Sequence, residues 1–213
     1  MLAAVIFDMD GVLVDSEMLW DAAREEVTEE LGGRWSERAQ SDMMGMSSVE
    51  WARYMHEELG VELPPEQVND EVVRRMEARY RERLPLIEGA TEAVERMAGR
   101  PLGLASSANR PLIDLVLELA GLGELFAATV SSEEVERGKP APDVYLEAAR
   151  RLGVAPERCA AVEDSHSGIL SGRAAGMRVI AIPNRAFPPG EDALEQADVV
   201  LGSIAELGPA ALE

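Results

Sequence analysis

The sequence predicts an α/β fold, a doubly wound, Rossmann-like parallel sheet interrupted by an inserted all-helical domain. Short continuous apolar runs of strand length recur along the chain, helical patterns alternate with them, and one long stretch near the start carries helical patterns alone. The opening "LAAVIFD" is too short for a helix and suits a strand covered on both faces. Similar runs follow at 101–106, 127–132, 159–164 and 178–183, with a weaker one at 197–202. Helical patterns fill 89–99, 110–120, 142–153 and 166–176. Pro111 and Pro142 fit first-turn positions, and Gly121, Gly153 and Gly176 fit helix ends.

Between Asp15 and Leu84 the alternation stops, and helical patterns rich in Glu and Arg take over. In "SSVEWARYMHEELG", Ser47 and Glu50 have capping-box spacing, Trp51, Met55 and Leu59 share a face, and Gly60 ends the helix. The expected domains are therefore an α/β core of 1–14 and 85–213 and a helical cap of 15–84. The links at Val14 to Ser16 and Leu84 to Gly89 are the expected hinges.

Composition narrows the function. A net charge of −20 argues against a nucleic-acid surface and repels small anions at long range. A phosphate site in such a chain has to be attractive locally. The single cysteine, Cys159, excludes an intramolecular disulfide and reads as a buried strand thiol. No run approaches membrane-spanning length, and the N-terminus lacks a secretory pattern, so a cytoplasmic protein is expected.

In open parallel sheets ligands sit beyond the carboxyl ends of the strands. Asp8 and Asp10, Ser106 and Ser107, and Glu163 and Asp164 all follow apolar runs, and Lys139 lies in the loop after another. Asp8, Asp10 and Asp164 make a hard oxygen cluster suited to Mg²⁺. A carboxylate beside such a metal can attack phosphorus and form an acyl-phosphate. Asp10 would protonate the leaving oxygen, Ser106 would bond a phosphoryl oxygen, and Lys139 would neutralise the same group. Lys139 is the one lysine beside nineteen arginines, which suggests a place that needs a compact point charge rather than a planar fork. Each string alone reads as a turn, a helix cap or a solvated charge; four in order at strand ends read as a site.

Those strings, "FDMDGVLVDS", "LASSANR", "GKPAPDVY" and "VEDSHSGI", resemble the four motifs of the haloacid dehalogenase-like hydrolases, over essentially the whole chain. The nearest branch is that of phosphatases and beta-phosphoglucomutase-like proteins with a helical cap. The resemblance implies that Asp8 is nucleophile and Mg²⁺ ligand, and that Asp10 is acid/base and binds the ion through its backbone carbonyl. It makes Ser106 and Lys139 phosphate-holding residues and Asp164 the remaining metal ligand, with Glu163 in support. Asn109 would assist from the core, and the loop Gly45 to Ser48, including Ser47, would reach the site from the cap. Beta-phosphoglucomutases typically carry a cap histidine and a cap-loop arginine where this chain has Trp20 and Ser48. Without that arginine the cap is poorly equipped for a second phosphate, so hydrolysis is favoured over phosphoryl transfer.

The expected activity is Mg²⁺-dependent hydrolysis of a small phosphorylated metabolite, a sugar or polyol phosphate, with Trp20 among the substrate contacts. A phosphosugar mutase is the alternative, and a phosphoaccepting switch is a further one. A carbon–halogen hydrolase is disfavoured, because that branch does without Mg²⁺ and Asp10. The expected enzyme is a monomer with no nucleic-acid or membrane partner.

Overall fold

The structure, a computed structural model, describes residues 2–43 and 46–213. Six parallel strands form one sheet: β1 (Ala4–Phe7), β2 (Leu102–Ser106), β3 (Phe126–Ser131), β4 (Cys159–Glu163), β5 (Arg178–Ala181) and β6 (Val199–Val200). Their order is β3-β2-β1-β4-β5-β6. The chain winds outward in one direction through β2 and β3 and in the other through β5 and β6. The direction reverses between β1 and β4, where a crevice opens beyond the strand ends. Phe7 pairs with both Leu104 and Val162, which sets Asp8 level with Glu163 across that crevice.

Both faces of β1 are buried, as its uninterrupted apolar run requires. Val5 and Phe7 point to the side packed by α5 (Ala90–Met97) and α6 (Arg110–Ala120), through Val94, Ile113 and Val116. Ala4 and Ile6 point to the opposite side, against Val144, Tyr145 and Ala148 of α7 (Asp143–Leu152). Helix α8 (His166–Ala174) follows β4, and the short α9 (Glu191–Leu194) precedes β6. Gly121 and Gly153 close α6 and α7 in the left-handed conformation.

Four helices lie between β1 and α5: α1 (Glu17–Glu30), α2 (Ala39–Met43), α3 (Ser48–Glu57) and α4 (Pro65–Glu82). Among the described residues this stretch contains no strand. The Glu50 carboxylate accepts from the Ser47 N–H at 2.8 Å and its hydroxyl at 2.7 Å, as the spacing predicts. Trp51 and Met55 are buried, and so is Leu59 just beyond α3. The two links to the core run side by side. Asp15 donates to the Pro85 carbonyl at 2.9 Å and Ile87 to that of Leu13 at 2.9 Å. One apolar cluster extends from Val5 and Phe7 into Trp20, Trp51, Met55 and Tyr80, so the four helices share a core with the sheet. In α4, Arg75 reaches Glu26 and Glu30 of α1, tying those two helices on the outside.

Candidate active site

Asp8 leaves β1 with its N–H bonded to the Val162 carbonyl at 2.9 Å, which fixes its backbone at the sheet edge. Lys139, 6% exposed, brings Nζ to 2.8 Å from Asp8 Oδ1, out of line for a hydrogen bond, and donates to Glu163 Oε1 at 2.6 Å. The Tyr145 hydroxyl donates to the same Oε1 at 2.7 Å, and Lys139 Nζ lies 5.1 Å from the Tyr145 ring centroid. The other Glu163 oxygen accepts from the Asp164 N–H and the Ser165 hydroxyl, each at 3.2 Å. Gly168 makes room for this carboxylate, since a Cβ there would fall 1.9 Å from it. Glu163 is thus engaged by protein donors on both oxygens, and its contact with Lys139 places the ammonium beside Asp8.

Ligand oxygens of Asp8, Glu163 and Asp164 lie within 4.8 Å of one another. Gly11, at φ +76°, lets the chain turn directly under Asp164, whose Oδ2 would sit 1.9 Å from a Cβ at that position. Three buried carboxylates face one ammonium, so the cluster has more acid groups than internal cations to compensate them. The sealed Asp8 Oδ1 makes no hydrogen bond. These oxygens suit a hard divalent cation, with Asp8 and Asp164 as the carboxylates left open to it.

Burial is the main cause of the upward shift of the Asp8 carboxyl; Lys139 opposes it and Glu163 reinforces it. Asp164 is raised by burial, with Glu163 and Asp8 adding to the effect. For Lys139 burial works against the charged form, but Asp8 and Glu163 more than offset it and hold the ammonium above its ordinary range.

Asp10 turns away from this cluster. Its Oδ1 accepts from the Ser16 hydroxyl at 2.5 Å and the Trp20 Nε1–H at 3.2 Å. Burial raises its carboxyl, and those two donors pull the other way. Its side chain is thus held by Ser16 and Trp20, apart from the Asp8–Glu163–Asp164 cluster.

A cavity of about 350 Å³ opens above these groups. Asp8, Asp164, Lys139, Ser107 and Ala108 form its core side, and Trp20, Arg24, Met43 and Trp51 form its helical side. The wall after β2 differs from the expected one. Ser106 is fully buried with its hydroxyl accepting the Ala108 N–H at 3.0 Å, while Ser107 and Ala108 face the cavity. Hydroxyls at the end of β3 pin this loop, Ser131 to the Ala108 carbonyl and Ser132 to that of Ser107.

The structure brings Asp8, Asp10, Trp20, Lys139 and Asp164 to the cavity. Asn109 starts α6 beside it, where its amide donates to Asn69 of α4 and to Glu133. Ser47 lines a separate crevice shared with Ser132, Gly138 and Lys139. Gly45 lies outside the described residues. Sequence reasoning missed Tyr145, Glu17 and Arg24. Glu17, Trp20 and Arg24 recur at helical spacing on α1, so the face that carries Trp20 could have pointed to both. Tyr145 lies three residues past "GKPAP" with only helical periodicity to mark it.

Comparison with known proteins supports the same reading. Residues 2–176 match the family described as haloacid dehalogenase-like hydrolase. The chain is 36% identical over 210 residues to Hexitol phosphatase B of Escherichia coli strain K12, covering 97% of this chain and 94% of that protein. It is 32% identical over 184 residues to Fructose-1-phosphate phosphatase YqaB of the same strain, covering 84% and 96%. Its fold is similar to CbbY from Rhodobacter sphaeroides in complex with phosphate, with a TM-score of 0.88, 30% identity, and coverage of 100% and 99%.

Proposed function

The chain belongs to the haloacid dehalogenase-like hydrolases, and from that premise we propose that it is a Mg²⁺-dependent phosphatase that cleaves a small sugar or polyol phosphate through an aspartyl-phosphate on Asp8. The observation that carries this reading is the buried Asp8–Lys139–Glu163 arrangement, with Asp164 beside it. It offers a nucleophile, a fixed positive charge and a place for a divalent cation within one crevice. The two phosphatases named above support a sugar or polyol phosphate as the substrate class.

Asp8 attacks phosphorus as the bond to the substrate oxygen breaks, and Asp10 gives that oxygen its proton. Asp10 then takes a proton from the water that attacks the acyl-phosphate, which releases inorganic phosphate and restores Asp8. Burial raises Asp10 in the direction a general acid needs. Lys139, steered by Glu163 and Tyr145, opposes the charge on the phosphoryl group. Ser106, one layer beneath the cavity wall, is assigned to the phosphoryl oxygens together with the loop at Ser107 and Ala108. Mg²⁺, held by Asp8, Asp164 and the Asp10 carbonyl, would supply charge neutralisation to the phosphate and the carboxylate that must meet.

Residues 15–84 act as a cap that closes over the cavity and excludes water, hinged where Asp15 meets Pro85 and Leu13 meets Ile87. Asn109 and Ser47 join cap to core, and Trp20 is shared between the substrate and Asp10. No described helix is long and apolar enough to cross a membrane, and the one cysteine is a buried free thiol. Both fit a cytoplasmic enzyme, and we place it there as a monomer without nucleic-acid or membrane partners. Phosphate release from a panel of sugar and polyol phosphates, with Mg²⁺ and with chelator, tests the assignment. Release should require the metal and fall by at least about a thousandfold in Asp8→Asn. Metal-independent release, or turnover surviving in Asp8→Asn, refutes it.

A further inference from the structure

The phosphatase chemistry leaves one cation in the cavity unused. Arg24 projects from α1 one turn beyond Trp20, and its guanidinium carbon lies 5.0 Å from the ring centroids of both Trp20 and Trp51. The two indoles, 6.1 Å apart, fix where the guanidinium sits. Other partly buried arginines of this chain meet carboxylates: Arg75, Arg110 and Arg151 each contact at least two. Arg24 sits in a less exposed place than a surface arginine, yet among the described residues it forms no ion pair, and its Nε is sealed without a hydrogen-bond partner. Glu17 and Asp21 lie on the same helix face, near enough to favour its charge but outside contact distance. A guanidinium held on two aromatic planes, lining a cavity and lacking a protein acceptor, lacks an oxyanion.

We propose that Arg24 is a subsite for a second oxyanion on the substrate, a carboxylate or a second phosphate remote from the phosphoryl group that is cleaved. The inference rests on the phosphatase reading and, within sugar and polyol phosphates, ranks those that carry a second oxyanion above those that do not. A neutral hydroxyl in that position can accept from the guanidinium but leaves its charge uncompensated, which favours the anionic acceptor. The cost of bringing a more highly charged anion toward a protein of net charge −20 is borne locally, by Lys139 at one end and Arg24 at the other.

Matched pairs test this. Phosphoglycerate and glycerol phosphate differ by a carboxylate against a hydroxymethyl group, and fructose bisphosphate and fructose monophosphate by a second phosphate. The wild-type kcat/KM should favour at least one doubly anionic member by about tenfold or more, the size of a charge-assisted hydrogen bond. Which pair shows the preference tells carboxylate from phosphate. In Arg24→Gln that ratio should collapse toward one whatever loss both members share, and Arg24→Lys should restore part of it. A wild-type ratio near one in both pairs, or a ratio that survives Arg24→Gln, overturns the subsite. Equilibrium binding of the same pairs to Asp8→Asn protein reads the difference without turnover. Absent hydrolysis with Arg24-dependent binding refutes the phosphatase alone, and equal binding of both members refutes the subsite.

Discussion

Replacing Lys139 with methionine removes the only cation inside the carboxylate cluster while keeping a side chain of similar length. Its ammonium lies 2.8 Å from Asp8 and 2.6 Å from Glu163, and its side chain is 3% exposed, so solvent screens neither contact. Deleting one partner of a buried pair costs ~3–5 kcal/mol, because the remaining charges stay buried without compensation. At ~2–4 °C per kcal/mol for a domain of this size, the metal-free Tm should fall by roughly 6–20 °C. Mg²⁺ should then raise the Tm of the variant more than that of the wild type, since the cluster has lost its one internal positive charge. The combined variant Lys139→Met, Asp8→Asn, Glu163→Gln removes the charges together and should recover most of the loss. Thermal melts followed by circular dichroism, in chelator and in Mg²⁺, read all of these outcomes. A Tm within about 2 °C of wild type in chelator, or no recovery in the combined variant, refutes the claim that Lys139 compensates buried carboxylates.

Three further outcomes follow from particular contacts. Gly11→Ala places a Cβ 1.9 Å from Asp164 Oδ2 and forces φ +76° on an L-residue, at a cost of ~1–2 kcal/mol from backbone alone. It should lower Tm by several degrees and raise the Mg²⁺ concentration needed for half-maximal activity, and an unchanged metal requirement would contradict the position given to Asp164. Cys159 is buried, and burial pushes its thiol up to about 11, so at pH 8 only about one thiol in a thousand ionises; it should resist an aromatic disulfide reagent until the protein is unfolded. The Arg74 hydrogen bond, with help from Arg75, holds Glu71 down to about 2 against an ordinary 4.5. A carboxyl lowered in the folded state stabilises above its unfolded value and loses that stabilisation as pH falls toward about 2. Glu71→Gln should therefore cost less than about 1 kcal/mol at neutral pH, discounted for its partial exposure, with the gap to wild type closing between pH 4.5 and 2 in chemical denaturation.

The core was legible because parallel strands buried on both faces cannot hide their composition. "LAAVIFD" and "CAAVED" mark β1 and β4, and the aspartates that end those runs fall at the point where winding reverses. Boundaries moved by a residue or two, most at the last strand, where the run at 197–202 yields only Val199–Val200. The run of helices between β1 and α5 was legible from the loss of alternation and from the Ser47–Glu50 spacing. The lone lysine was legible for a compositional reason, and its surroundings give the physical one. Its single ammonium contacts two carboxylates and a tyrosine ring in a space with 6% exposure.

What the sequence concealed depends on contacts between distant segments. Nothing in "LASSANR" says whether Ser106 or Ser107 turns to the cavity. That is decided by Ser131 and Ser132, which bond the carbonyls of Ala108 and Ser107 from the neighbouring strand end. Asn109 was drawn away by Asn69, forty positions earlier, and Glu133. Arg24 was hidden by composition: one arginine among nineteen attracts no notice, whereas the single lysine does. Only the fold, by stacking Trp51 of α3 beside Trp20 of α1, separates Arg24 from the solvated arginines of the helix faces. Residues that act through the backbone and sheet edge can thus be found from local pattern. Those that would choose the substrate sit where helices meet, and tertiary packing separates them from the solvated residues of the same helix.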